Sequence, residues 1–380
     1  MALGDISPFG SAVEFDTHCG VYISLLEARP GIFIVIYQGY NDEGWVKSFT
    51  CDADGNISPI IDSLQFDIRD TRGMSACLVG EGIVAVSYAN TNDDLIVTTF
   101  SVTPEGHISD AIIDRLNTDL VSYGWTSIVN CGFNDVFACC HTTVDYDPQL
   151  VTFVIEPSGH TPGAYRDAYT YIPSYYGYSS LVRRDEHYYV ALDNGSTNLV
   201  TVTTFRIDDD GSIDRPRIDQ KELAAGYPSL RQIWQVDIPM FACIYNAEEI
   251  KGEIGTIGIS RLGVIDGEFT NTFTFPEIDF KYPKVVHVGG SCYAICHTSS
   301  TNVGWVRTIS ISATGSIGDS FIDVESFGNI SVCFPDIIHI SGDTFLVAYA
   351  DTTRHGQLRS CGIASTSGGP GLHLPLMGIG

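Results

Sequence analysis

The chain has 380 residues, 44% of them hydrophobic and 11% aromatic, enough to bury a sizeable core and unlike a disordered tail. Its formal net charge is −26, with 46 acidic against 20 basic residues, so its surface repels phosphate backbones and nucleic acid is not an expected partner. No apolar run is long enough to cross a bilayer, and the opening MALGDISPFG has neither the basic start nor the apolar stretch of a secretory leader.

Along the chain, short apolar or alternating runs are cut at close spacing by Gly, Asp, Asn and Ser, the pattern of an all-β protein. Only DQKELAAGY (219–227) has the composition for a turn or two of helix. The apolar runs recur. FIVIY, VAVSY, FACCH, YVALD, FACIY, YAICH and FLVAY end at Tyr37, Tyr88, His141, Asp193, Tyr245, His297 and Tyr349, in steps of 51, 53, 52, 52, 52 and 52 residues. A second landmark keeps the same period: a glycine followed two residues later by Ile or Thr, at 55, 106, 159, 211, 263 and 315, with a seventh position near Gly368. Two independent landmarks on one period define an internal repeat.

A unit of about 50 residues with four strand-sized segments is one propeller blade. In the sixth unit the strands read KVVHV (a), SCYAICHT (b), VGWVRTISISA (c) and SIGDSFIDVESF (d), with the turn glycine between c and d. A hairpin residue with positive φ suits Gly, which adopts it without strain.

The termini complete the arithmetic. GDISPFGSAVEFD, starting at Gly4, matches GNISPIIDSLQFD (55–67) at six of thirteen positions. Residues 5–15 are therefore an orphan strand d, expected to pair with strand c of the last unit around 357–366 and close the ring. The expected organisation is one domain, 1–368, with blades at about 17–67, 68–119, 120–172, 173–223, 224–276, 277–328 and 329–368, followed by an apolar tail at 369–380. In period, strand pattern and terminal closure, residues 4–368 resemble the seven-bladed β-propeller superfamily. The Trp-Asp dipeptide of WD repeats and the paired glycines of kelch repeats are absent.

The resemblance implies function on one face of the ring or in its channel. Strands a and b are antiparallel, so the end of b and the start of a share a face. That face is expected to carry Tyr37, Tyr88, His141, Asp193, Tyr245, His297 and Tyr349, with Trp125, Tyr178, Tyr227, Tyr282 and Phe334 at the starts of strand a. Trp45 and Trp305, each after a loop glycine, are candidates for the same work. Rings of Tyr and Trp suit sugars or peptide side chains, and the polar b–c loops above them vary in sequence.

The expected function is a non-catalytic binding or assembly module for a glycan or protein, in a cell-surface, filament or virion setting. Two alternatives stand beside it. One is a polysaccharide lyase, with His141 or His297 as base and Tyr245 or Tyr349 as acid. The other is a self-assembling subunit joined through the apolar tail 369–380. No HExxH, CxxC or phosphate loop is present, so no metal or other cofactor is expected. IDDDGSID (207–214) resembles a calcium loop, with Asp208, Asp210 and Asp214 around Gly211. Among its counterparts only DADG (52–55) repeats the aspartates, so a glycine turn explains the series better. The eleven Cys are read as small buried hydrophobes, and the Ile-Asp pairs at 61–62, 113–114, 218–219 and 322–323 as partners of neighbouring backbone groups.

Overall fold

Strand b of each repeat is apolar along most of its length because both of its faces are covered: all seven residues of Ile32–Gln38, Val136–Thr142, Met240–Asn246, Cys292–Thr298 and Thr344–Ala350 are buried. A sheet buried on both sides needs neighbours on both sides, and a ring of radial blades supplies them. The computed structural model describes residues 1–365 apart from 173–179, 195–198, 226, 248–250, 279, 300 and 330–333. It is a seven-bladed β-propeller of four-stranded antiparallel blades, with no helix among the described residues.

Blade 1 consists of Ser24–Arg29 (a), Ile32–Gln38 (b), Gly44–Thr50 (c) and Asp62–Asp67 (d). Blades 2 to 6 repeat that order, starting at Arg72–Gly80, Gly124–Asn130, Ser180–Arg183, Tyr227–Gln235 and Lys281–Gly289. Blade 7 takes Asp336–Ser341, Thr344–Ala350 and Gly356–Gly362, and its fourth strand is Val13–Asp16 from the N-terminus. Val13 pairs with Leu358 and Glu14 with Gln357, and an isolated bridge joins Ile6 to Ile363. The a strands of successive blades touch around the ring, the first against the last.

The stretch 219–227, whose composition suits a helix turn, contributes strand d of blade 4. Asp219–Ala225 pairs with Leu199–Arg206, and ladder hydrogen bonds to that partner override the high intrinsic helix propensity of Gln, Lys, Glu and Ala.

The blades are tied by hydrogen bonds that repeat with the period. A strand-c hydroxyl of each blade donates to the turn-glycine carbonyl of the next: Ser48 to Gly106, Thr99 to Gly159, Thr152 to Gly211, Thr204 to Gly263, Thr256 to Gly315, Thr308 to Gly4 and Ser360 to Gly55, at 2.5–2.8 Å. Gly4 thus occupies the seventh turn position, and Gly368 lies outside the described residues. Alongside, the Asp of each Ile-Asp pair accepts the N–H two residues after that glycine, as Asp62 does from Ile108 (2.9 Å) and Asp219 from Ile265 (2.9 Å). The Ile of the pair lies on the glycine itself. A Cβ on Gly106 (φ +86°) would meet Ile61 Cδ1 at 2.8 Å.

A third tie runs round the inner ring. Ser75, Ser127, Ser180, Gln232 and Asp336, equivalent positions of strand a, accept from the N–H groups of Ile128, Leu181, Ile233, Val285 and Leu25 in the following blades. Lys284 holds this position in blade 6 and has no acceptor to offer. All ten described cysteines are buried, and burial raises the thiol pKa of Cys51, Cys77 and Cys139.

Candidate functional site

The strand-b ends do not form a binding surface. Tyr37, Tyr88, His141, Asp193 and Tyr245 are 0% exposed, His297 is 1% and Tyr349 5%. They sit between blades. The Tyr88 hydroxyl donates to Asp67 of the preceding blade (2.8 Å), and the Tyr37 hydroxyl donates to Asp16, which also takes Lys47 at 2.7 Å. Asp193 accepts from Tyr171 (3.0 Å), Tyr245 donates to Glu253 (2.7 Å), and Tyr349 packs on Phe327. The expectation that these seven meet a ligand is corrected for a physical reason. A propeller sheet is covered on both faces, so a polar residue ending strand b is enclosed against the neighbouring blade.

Burial also undoes the lyase arrangement. His141 makes its contact with Gln149 (3.0 Å), and burial pushes its pKa down to about 4. His297 Nε2 accepts from Arg307 Nε (2.9 Å). Burial, then the Arg307 charge, lowers its pKa to about 3. His297 faces Phe275 and Phe280, whereas Tyr245 stacks on Phe269 and Tyr349 meets Phe327 at a tilt of 50°. Each of these four groups is buried, so neither histidine forms a base–acid pair with Tyr245 or Tyr349 that is open to a substrate. Trp45 and Trp305 are half-buried beside Tyr37 and His297 across the b–c ladder, and Trp305 carries the Arg307 guanidinium at 5.5 Å.

The starts of strand a do converge. Tyr22, Trp125, Tyr282 and Phe334, from blades 1, 3, 6 and 7, are half-buried and meet one another. Ring centroids lie 4.6 Å apart for Tyr22–Phe334, 5.2 Å for Tyr22–Trp125, 5.4 Å for Trp125–Phe334 and 4.0 Å for Tyr282–Phe334. Rings from blades so far apart in the circle can touch only at its centre. Tyr178 lies outside the described residues. Tyr227 lies three residues before the equivalent position, and only its backbone is described, paired with Asn246.

Local backbone brings the rings inward. Tyr22, Trp125 and Tyr282 have φ of 55°, 57° and 56°, and Gly73 holds the same register in blade 2 with φ 58°. The a–b ladder breaks there, between Arg72 and Ser75, Gly124 and Ser127, and Lys281 and Lys284. An unpaired residue in a bulge re-aims its side chain. Left-handed backbone is a genuine outlier for bulky residues and persists where the surrounding structure over-determines it. Tyr22 was not among the residues singled out from sequence, although it stands 51 residues before Gly73.

The two faces of the ring use the same five-residue turn differently. On the c–d side, Asp52 N donates to Asn56 O and Gly55 N to Asp52 O; on the b–c side, Asn90 N donates to Asp94 O and Asp93 N to Asn90 O. The left-handed position is Gly in all seven c–d turns, with φ of 78–89°. In the five described b–c turns it is Asp42, Asp93, Tyr146, Asn302 and Arg354, with φ of 57–66°. The c–d turn excludes a Cβ because the preceding blade lies on it. The b–c turn keeps a side chain at about 1–2 kcal/mol of backbone strain per residue.

The acidic c–d turns are internally satisfied. Asp208 and Asp214 both pair with Arg206, at 2.6 and 3.0 Å, and Asp210 accepts from Ser212 N. Asp52 accepts from the N–H groups of Asp54 and Asn56 and from the Asn56 amide.

Solved structures share this architecture. A lectin of Burkholderia pseudomallei is 11% identical, with 90% of this chain and 96% of that one covered and a TM-score of 0.62. The periplasmic gluconolactonase PpgL of Pseudomonas aeruginosa is 11% identical over 81% of this chain and 86% of that one, with a TM-score of 0.60. The WD40 domain of Toxoplasma gondii coronin is 8% identical over 95% and 88%, with a TM-score of 0.59. At such identities the likeness establishes the fold alone. No protein-family model matches the chain. A comparison with curated proteins likewise finds no match. The chain is a seven-bladed β-propeller.

Proposed function

We propose that the protein is a non-catalytic recognition module that takes a glycan on its b–c loop face, over the aromatic cluster at the propeller axis. One observation carries this reading: Tyr22, Trp125 and Tyr282 are held in strained left-handed backbone and converge with Phe334. A sugar ring stacks its C–H face on such rings, and the acidic and amide side chains of Asp42, Asp93 and Asn302 on the same face suit its hydroxyls. A lectin among the fold neighbours supports the choice of ligand class.

The test is a glycan array followed by calorimetry on the best binder. Trp125→Ala and Tyr22→Ala should weaken binding by about ten- to a hundredfold, the effect of truncating one packed aromatic contact. Glu105→Ala, in a c–d turn, should change nothing. Absence of any bound glycan, or loss of binding confined to Glu105→Ala, would overturn the reading. Trp125→Phe keeps the comparison interpretable if the alanine variant does not fold.

A further inference from the structure

The face opposite the b–c loops carries one blade unlike the others. At the tip of each c–d turn, the residue before the glycine is Asp54, Glu105, Ser158, Asp210 and Thr314 in blades 1, 2, 3, 4 and 6, and the half-buried Leu3 in blade 7. In blade 5 it is Leu262, 69% exposed. The residue after the glycine is Asn56, His107, His160, Ser212 and Ser316 in the same five blades, but Val264, 54% exposed, in blade 5. The a–b turn at this end of blade 5 adds Ile238, 54% exposed, where blades 2 to 4 have Glu81, Asn134 and Glu186. The two blade-5 turns are adjacent, since Ile259 N donates to Pro239 O at 2.9 Å. Three hydrocarbon side chains thus stand together in water on a chain of net charge −26.

The same face releases the C-terminal segment. Ser365 is held at the a–b turn of blade 7, its N–H and hydroxyl both donating to Asp343 Oδ1 at 2.8 and 2.6 Å. Beyond it, residues 366–380 contain no Asp, Glu, Lys or Arg, and carry Leu372, Leu374, Leu376, Met377 and Ile379.

We infer that the segment 369–380 docks on its own ring, covering Ile238, Leu262 and Val264 at the back of blade 5. The chemistry matches: an uncharged apolar segment meets a blade end whose two adjoining turns expose three apolar side chains, whereas the c–d turn tips of blades 1 to 4 and 6 are polar or charged and blade 7, which also exposes Met1 at 77%, keeps Leu3 half-buried. The reach suffices. Blade 5 lies two blades from blade 7, and an extended chain covers about 3.3 Å per residue, or roughly 23 Å from Ser365 to Leu372 and 40 Å to Met377. Covalent attachment favours the chain's own patch over another copy's, because a short tether holds the segment at an effective concentration of order millimolar. The contact is independent of the glycan reading, which concerns the opposite face.

Hydrogen exchange read by mass spectrometry on the full chain tests this. Amides of residues 372–379 should exchange about tenfold more slowly than in a free peptide of the same sequence, at any protein concentration. Leu262→Asp combined with Val264→Asp should restore the free-peptide rate. Both side chains are exposed, so the melting temperature should hold. Free-peptide rates in the unmodified chain would overturn the inference, as would protection that survives the double substitution. Protection that appears only as ultracentrifugation shows larger particles would also overturn it, by placing the segment on a second molecule.

Discussion

The Thr308 hydroxyl donates to the carbonyl oxygen of Gly4 at 2.7 Å, across 304 positions of sequence. Six other Ser or Thr residues make the same bond to a turn glycine inside a continuous hairpin. Here the turn is assembled from both ends of the propeller, with Gly4 N donating to Ala364 O and Ala364 N to Asp5 O. Deleting residues 1–16 should lower stability by several kcal/mol through the lost ladder and the exposed core around Ile6 and Phe15. Thr308→Val should cost about 1 kcal/mol. Urea unfolding of both variants checks this, and an unchanged midpoint for the deletion would refute the closure.

Two glycines with left-handed backbone separate conformational strain from packing. Gly31 (φ +76°) has open space where a Cβ would go. A Cβ on Gly73 (φ +58°) would lie 1.9 Å from the Trp125 backbone nitrogen. Gly31→Ala should cost about 1–2 kcal/mol of backbone strain alone. Gly73→Ala adds overpacking of about 1–3 kcal/mol and should displace Trp125. Denaturation midpoints rank the pair, and Trp fluorescence reports the shift at the axis. Equal costs would show that the blade 2–blade 3 contact is slack.

Stability should fall on mild acidification because of His141 and His297. Buried and neutral, they bind a proton only near pH 4 and 3, whereas unfolded histidine does so near 6.5. Below about pH 6.5 the unfolded chain therefore holds more protons. The stabilisation present above that pH is lost as pH falls toward the folded values, at up to about 1.4 kcal/mol per unit for each histidine. Unfolding free energies at pH 7.5 and 5 measure the slope. His297→Gln should remove roughly half of it, and a flat wild-type profile would contradict the burial of both rings.

Chelation should leave the fold intact. The carboxylates of the calcium-like turns already face Arg206 or their own backbone N–H groups. Melting with and without EDTA should coincide. A fall of about ten degrees, which several kcal/mol of metal binding would produce and calcium would restore, speaks against this account.

The number of blades and the ring closure were legible in the sequence because each blade meets its neighbour in the same way. Every contact needs a glycine without a Cβ under an Ile or its substitute, and a hydroxyl that reaches the glycine carbonyl, so these residues recur at about 52-residue steps. Direction was not legible. The period shows that Tyr37, His141 and Tyr349 are equivalent but not which way they point. Strands covered on both faces lack the polar–apolar alternation that would tell. Tyr22, Trp125 and Tyr282 carry no local mark of a left-handed bulge, because Tyr and Trp are not turn residues; the surrounding ring imposes that backbone. Residues 219–225 became a strand for the same reason, since strand c of their own blade stood ready to pair with them. The sequence by itself determined the repeat and what each blade needs from the next. Only the tertiary structure decided which side chains meet at the axis, because blades 1, 3, 6 and 7 come together only once the ring has closed.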